Sequence, residues 1–263
     1  MPKPPTIIAF VQARMTSTRL PGKVLKPLGS RTAIGYVFHQ LSAAKRLTKS
    51  VLVTSTDHTD DSIVSWAQRH NTECERGSLK DVLDRYYQAA KTHNADIVVR
   101  ITADCPLIDP AIVDAVIERY LQGDCDYCSN VIPPTFPDGL DTEVFSFEVL
   151  ERVWKEASQP LEREHVTAFI HNFSQNFRIA NLAAPADFSK LRWTLDTPQD
   201  YEFLNRVVQH LEMKYIRQPD ARFSMRDVLE LLNDDKSLLE INNTSTRNEG
   251  YFSSLPHDYV AQL

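Results

Sequence analysis

Three cations lie close together near the start of the chain: Arg14, Arg19 and Lys23, within QARMTSTRLPGKVL at 12–25. Lys26 and Arg31 follow, and no Asp or Glu occurs before Asp57. Arginine forks pair with phosphate oxygens and lysine adds a point charge, so this loop is suited to a polyphosphate. Its spacing is neither that of a P-loop nor that of a dinucleotide fingerprint. Two carboxylates complement it. Asp104 lies in RITADCPLID at 100–109 and Asp196 in RWTLDTPQD at 192–200. Each follows an apolar run and precedes a predicted helix. Two such carboxylates beside a polyphosphate suggest Mg²⁺ joining protein to phosphates. The plainer reading is that both are helix caps. Asp109, directly before Pro110, fits that role better than Asp104 does. Asp200 is suited to supporting its own helix N-terminus.

Two further groups are less specific. Gly77, at a strand end, would let a flat base approach the backbone, with Arg85 or Asp81 in reach. An ordinary amphipathic helix explains residues 81–86 equally well. Asp138 and Glu143 in PDGLDTE, with Arg163 and His165 in EREH, form a dense polar set suited to an acceptor substrate. A lone histidine is more often structural, but Arg163 and Glu143 strengthen the case for His165. Cys125 and Cys128 make a single C-x-x-C without the second pair that a zinc ribbon needs, so they read as reduced core thiols.

These residues need a sheet to hold them. Residues 7–11 are wholly apolar, as in a central strand covered on both faces. Strands at 51–54 and 96–101, a short one at 72–75, and helices at 32–46, 60–70, 79–93 and 110–121 alternate through about the first 120 residues. That rhythm predicts an α/β fold with a mostly parallel sheet and crossover helices. Beyond it come strands at 125–129, 142–146, 177–182 and 191–195. A Pro- and Gly-rich loop occupies 131–141, and helices are expected at 147–157, 161–173, 197–212 and 224–233. The main domain is drawn at 1–233, with an insertion for acceptor binding or dimerisation at about 130–182. A tail at 234–263, with Tyr251, Phe252 and Tyr259, is expected to dock on the body. In a chain of 263 residues, nine of the 29 Lys and Arg precede residue 57, and all 35 acids lie from residue 57 onward. The net charge of -6 argues against a general nucleic-acid binder. No apolar run is long enough to cross a bilayer, so no membrane association is expected. The start lacks a signal-peptide core, and the cytoplasm is the expected location.

The stretch at 12–25 resembles the N-terminal signature of the cytidylyltransferases that make CMP-activated acidic sugars. The spore-coat polysaccharide branch is the nearest in pattern, related to CMP-octulosonate and CMP-sialate synthetases. The resemblance extends through 100–106, 137–145, 163–166 and 195–198, and reaches Asn248-Glu249-Gly250-Tyr251. It implies a Rossmann-like nucleotidyltransferase fold of glycosyltransferase-A type, a homodimer, CTP and Mg²⁺. By matching position it implies that Ala13, Arg14, Arg19 and Lys23 meet the nucleotide, with Arg14, Lys23 and Asp104 catalytic. Asp104 and Asp196 would hold the metal. Where octulosonate synthetases read Asn-x-Gln-Gly-Asp-Glu-Pro, this chain has Arg100-Ile101-Thr102-Ala103-Asp104-Cys105-Pro106. The metal Asp is kept, while Arg100 and its neighbours differ where nucleotide and sugar are touched. The expected reaction is CMP transfer from CTP to an acidic acceptor, with release of pyrophosphate. Two rivals are a glycosyltransferase of related fold, whose Asp-x-Asp could only be Asp124-Cys125-Asp126, and a non-catalytic nucleotide-binding module.

Overall fold

The computed structural model describes residues 3–218, 220–243 and 247. In chain order the strands and helices begin with β1 (Ile7–Gln12), a two-residue hairpin of β2 (Pro27–Leu28) and β3 (Arg31–Thr32), and α1 (Ala33–Leu41). Then come β4 (Lys49–Ser55), α2 (Asp61–Arg69), β5 (Cys74–Gly77), α3 (Val82–Thr92), β6 (Ile97–Thr102) and α4 (Pro110–Tyr120). The second half holds β7 (Tyr127–Ser129), β8 (Glu143–Ser146), α5 (Phe147–Glu156), α6 (Pro160–Glu164) and α7 (Ala168–Asn172). It ends with β9 (Ile179–Asn181), α8 (Pro198–Lys214) and α9 (Met225–Asp234).

Seven strands form one sheet in the order β5-β4-β1-β6-β8-β7-β9. β8 alone runs against its neighbours β6 and β7, and the other pairings are parallel. The period of two in β1 divides its side chains between the faces. Ile7, Ala9 and Val11 join the core under α1, α2 and α4, whereas Ile8 and Phe10 join the core under α3 and α5. A third core packs α8 and α9 over Leu28, Tyr36, Trp193 and Leu195. The chain moves outward from β1 to β4 and β5, then returns to β6 on the other side of β1. The carboxyl ends of β1 and β6 therefore flank a topological switch point, where open α/β sheets leave a crevice.

Three expected elements differ. The helix expected at 161–173 is two short helices, because Val166 has φ 44 and breaks the ladder. The strand expected at 191–195 is an extended segment with one bridge, Asp138 to Arg192. α1 ends at Leu41, and the chain beyond it is caught by Asp114, which accepts from the backbone N–H of Lys45 and Arg46. Of the tail, Leu238 packs into the third core. Tyr251, Phe252, Tyr259 and the 248–251 motif lie outside the described residues.

Candidate active site at the switch point

The cationic loop is fixed at both ends. Ala13 donates its N–H to Val53 O at 3.0 Å and accepts from Thr54 Oγ1 at 3.0 Å. The Met15 N–H is held by Asp60 Oδ1 at 2.7 Å, and Asp60 is fully buried, accepting also from Ser55. Met15 O then accepts from the N–H groups of Ser17 and Gly22, each at 3.0 Å. Gly22 has φ 68, a left-handed turn that glycine adopts without steric cost. It leads directly into the short 3-10 turn Lys23–Leu25.

Asp104 follows β6, and Asp196 precedes α8. The Leu195 N–H donates to Asp104 O at 2.8 Å, which sets the two aspartates side by side. Lys23 Nζ lies between them, 2.5 Å from Asp104 Oδ2 and 2.6 Å from Asp196 Oδ1. Arg19 reaches Asp196 Oδ1 at 3.3 Å, and Arg14 reaches Glu164 at 3.6 Å on the rim. Burial would raise the Asp104 pKa, but the Lys23 ammonium outweighs it and holds the carboxyl at about 2. Burial likewise works against the Lys23 charge, and Asp104 with Asp196 overcomes it to raise the lysine pKa. The ammonium is a stand-in cation between two carboxylate oxygens. Such a pair fits Mg²⁺, which takes one or two carboxylates and completes its shell with phosphate oxygens and water. Neither aspartate is a lone cap: Asp109 caps α4, and Asp200 forms a capping box with Thr197 at α8.

The residues expected on the acceptor side fall into three situations. Arg100 and Glu143 face each other across β6 and β8 and form an ion pair. Glu143 also accepts from Tyr127 Oη at 2.6 Å and Thr167 Oγ1 at 2.8 Å. Burial would raise the Glu143 pKa, yet Arg100 and His171 bring it below the ordinary range. His165 sits in the break between α6 and α7; burial lowers its pKa, opposed by Glu164 and reinforced by Arg100 and Arg14. Asp138 is buried against Arg192 at 2.8 Å, and burial together with Asp141 pushes its pKa up to about 7.

Arg163 and the Gly77–Arg85 pair are each held by neighbours within the fold. Arg163 grips Asp81 through Nε and Nη2 at 3.0 and 2.6 Å and donates to Trp154 O at 2.7 Å, which ties α6 to the start of α3. The space left by the absent side chain of Gly77 is filled by Arg85, whose Cγ would lie 3.0 Å from a Cβ there. Arg85 is itself 3% exposed and donates to the carbonyls of Ser78 and Leu79. Both residues shape the β5–α3 loop from within.

The sequence matches the model of a protein family described as Cytidylyltransferase over residues 8–238. The chain belongs to the cytidylyltransferase family. It is 32% identical over 234 residues to the spore coat polysaccharide biosynthesis protein SpsF of Bacillus subtilis, spanning 86% of this chain and 94% of that protein. A 3-deoxy-manno-octulosonate cytidylyltransferase of Solibacter usitatus is 33% identical over 114 residues, 43% of this chain and 44% of its own length. The solved structure of a cytidylyltransferase from Leptospira borgpetersenii serovar Hardjo-bovis aligns with a TM-score of 0.81 at 33% identity, covering 92% of this chain and 97% of that one. The expected family, Rossmann-like nucleotidyltransferase fold and CTP-dependent nucleotidyl transfer are borne out.

Two residues of this cytidylyltransferase that shape the site escaped the sequence reading. Asp60 pins the loop through Met15, and nothing in its local pattern sets it apart. Arg192 donates to Asp138, Asp196 and Asp200 at 2.8, 2.9 and 3.0 Å. Its spacing of four and eight residues to Asp196 and Asp200 was the available signal. Asp124 and Asp126, the pair a glycosyltransferase reading would need, precede β7 instead of ending a strand and pair with Arg119 and Arg178 at the surface. Among the described residues no helix is long and apolar enough to cross a membrane.

Proposed function

We propose that this enzyme transfers CMP from CTP to an acidic sugar or similar acidic acceptor, releasing pyrophosphate, in the biosynthesis of a surface polysaccharide or glycoconjugate. The observation that carries the reading is Lys23 clasped between Asp104 and Asp196 at 2.5 and 2.6 Å. It sits at the switch point of a cytidylyltransferase fold. Asp104 and Asp196 would hold Mg²⁺, which supplies positive charge to the phosphate oxygens when bound. Lys23, once released from the carboxylates, turns its ammonium to the triphosphate, joined by Arg14 and Arg19 from the same loop. The acceptor oxygen, either already ionised or a hydroxyl that gives up its proton to solvent, bonds to the α-phosphorus as the bond from that phosphorus to the pyrophosphate oxygen breaks. The cations stabilise the charge that gathers on the leaving group, the kind of fixed electrostatic support that dominates such transfers. Ala13 lies at the nucleotide end. Arg100, Asp138, Glu143 and His165 border the acceptor end, where an acidic substrate meets guanidinium charge. The working unit is a homodimer in the cytoplasm.

The test is a pyrophosphate-release screen of four nucleoside triphosphates against sugar acids, polyol phosphates and phosphonates. CTP with an acidic acceptor should turn over, and Asp104→Asn should lower that rate at least a hundredfold while remaining folded. Near wild-type release from the folded variant would overturn the assignment. Light scattering at assay concentration tests the dimer.

A further inference from the structure

Arg192 touches none of the atoms expected to react, yet it is the most heavily committed cation near the site. Its side chain is 6% exposed and its guanidinium spans three carboxylates. Nη1 holds Asp138 Oδ2 at 2.8 Å, Nη2 holds Asp196 Oδ2 at 2.9 Å, and Nε holds Asp200 Oδ1 at 3.0 Å. Asp200 is fixed in turn, accepting from the N–H groups of Asp196 and Thr197 at 3.0 and 2.9 Å and from Asn242 Nδ2 at 3.0 Å. The consequence for Asp196 is an assignment of its two oxygens. Oδ2 faces inward to Arg192, and Oδ1 faces outward to Lys23 and Arg19.

We infer that Arg192 is a positioning residue for the metal site: by engaging Oδ2 of Asp196 it presents Oδ1 alone to a divalent cation. The inference deepens the proposed function and rests on its assignment of Asp196 as a metal ligand. A planar fork with three separate donor directions is required, and a lysine ammonium cannot reproduce it from one point. Groups that orient a ligand in this way usually contribute about 10- to 100-fold in metal affinity when removed. The same guanidinium carries the acceptor-side loop through Asp138, so a single residue sets both walls of the cleft.

The probe is Mn²⁺, titrated by calorimetry into full-length protein with and without CTP, alongside CTP binding in EDTA and thermal melting. Arg192→Lys should weaken Mn²⁺ binding at least tenfold, leave CTP affinity in EDTA within about threefold, and remain folded. Arg192→Gln, which keeps one donor group, serves as the second variant. Asp196→Asn is the control for the underlying reading. If it binds Mn²⁺ like wild type, the metal assignment itself fails. If Asp196→Asn loses Mn²⁺ while a folded Arg192→Lys or Arg192→Gln keeps it, the positioning role is overturned and the metal assignment stands. Equal loss of CTP affinity in EDTA and of Mn²⁺ affinity, or unfolding of both Arg192 variants, would also overturn it by making Arg192 a structural support.

Discussion

Replacing Lys23 with methionine separates the two things its ammonium does. In the unliganded protein it neutralises Asp104 and Asp196; in the reaction it is proposed to meet the triphosphate. The Asp104 carboxyl falls from an ordinary 3.8 to about 2 despite its burial, chiefly because of Lys23. That difference corresponds to about 2 kcal/mol of stability at neutral pH. A depressed carboxylate contributes fully above its unfolded pKa and loses that contribution as pH falls toward its folded one. Because burial alone would raise the Asp104 pKa, the gap between wild type and Lys23→Met should be at least about 2 kcal/mol at pH 7 and shrink as pH falls from above about 4 toward about 2. For a chain of this size it lowers the melting temperature by about 4–8 °C. Lys23 also competes with any dication for the same oxygens, so the variant should bind Mn²⁺ more tightly than wild type while pyrophosphate release falls about 10²- to 10³-fold. Denaturant melts across pH and Mn²⁺ titration make the comparison. A stability gap that stays constant or widens toward pH 3, or weaker Mn²⁺ binding in the variant, would refute the reasoning.

Other perturbations read different parts of the frame. Asp60→Ala removes the acceptor that holds the Met15 N–H; it should cost about 1–3 kcal/mol and raise the KM for CTP, measured by denaturation and by initial rates. Gly139→Ala places a Cβ 2.6 Å from the Trp193 carbonyl carbon at a backbone φ of +111. It should lose about 2–4 kcal/mol in a urea melt. Glu143→Gln leaves Arg100 without its buried counter-charge, and a lower melting temperature with a raised KM for the acceptor is expected.

The alternation of apolar strands and amphipathic helices made the first half readable, because each parallel strand is buried on both faces and each crossover helix on one. The reversal of β8 was not readable: a four-residue strand carries no mark of its direction. Residues 191–195 look like a strand because Leu191, Trp193 and Leu195 alternate with Arg192 and Thr194, yet they border a loop instead of a ladder. The cluster of Arg14, Arg19, Lys23, Asp104 and Asp196 was visible as unbalanced charge and as acids at strand ends. Asp60 was not, since its hold on Met15 forms only on folding, and the spacing of Arg192 to Asp196 and Asp200 did not by itself mark it out from other arginines. The Arg85 side chain that fills the space beside Gly77 likewise becomes visible only in the fold.

The absent side chain of Gly139 has a wider bearing. Trp193 donates its N–H to Asp138 O, and Asp138 donates to Leu191 O at 2.9 Å, so the 137–141 loop and the 191–195 segment lie backbone against backbone. Two stretches more than fifty positions apart thus behave as one part. Any attempt to graft another acceptor preference onto this scaffold by exchanging the 130s loop alone should yield a poorly folded hybrid, and the exchange should succeed only when both stretches are moved together.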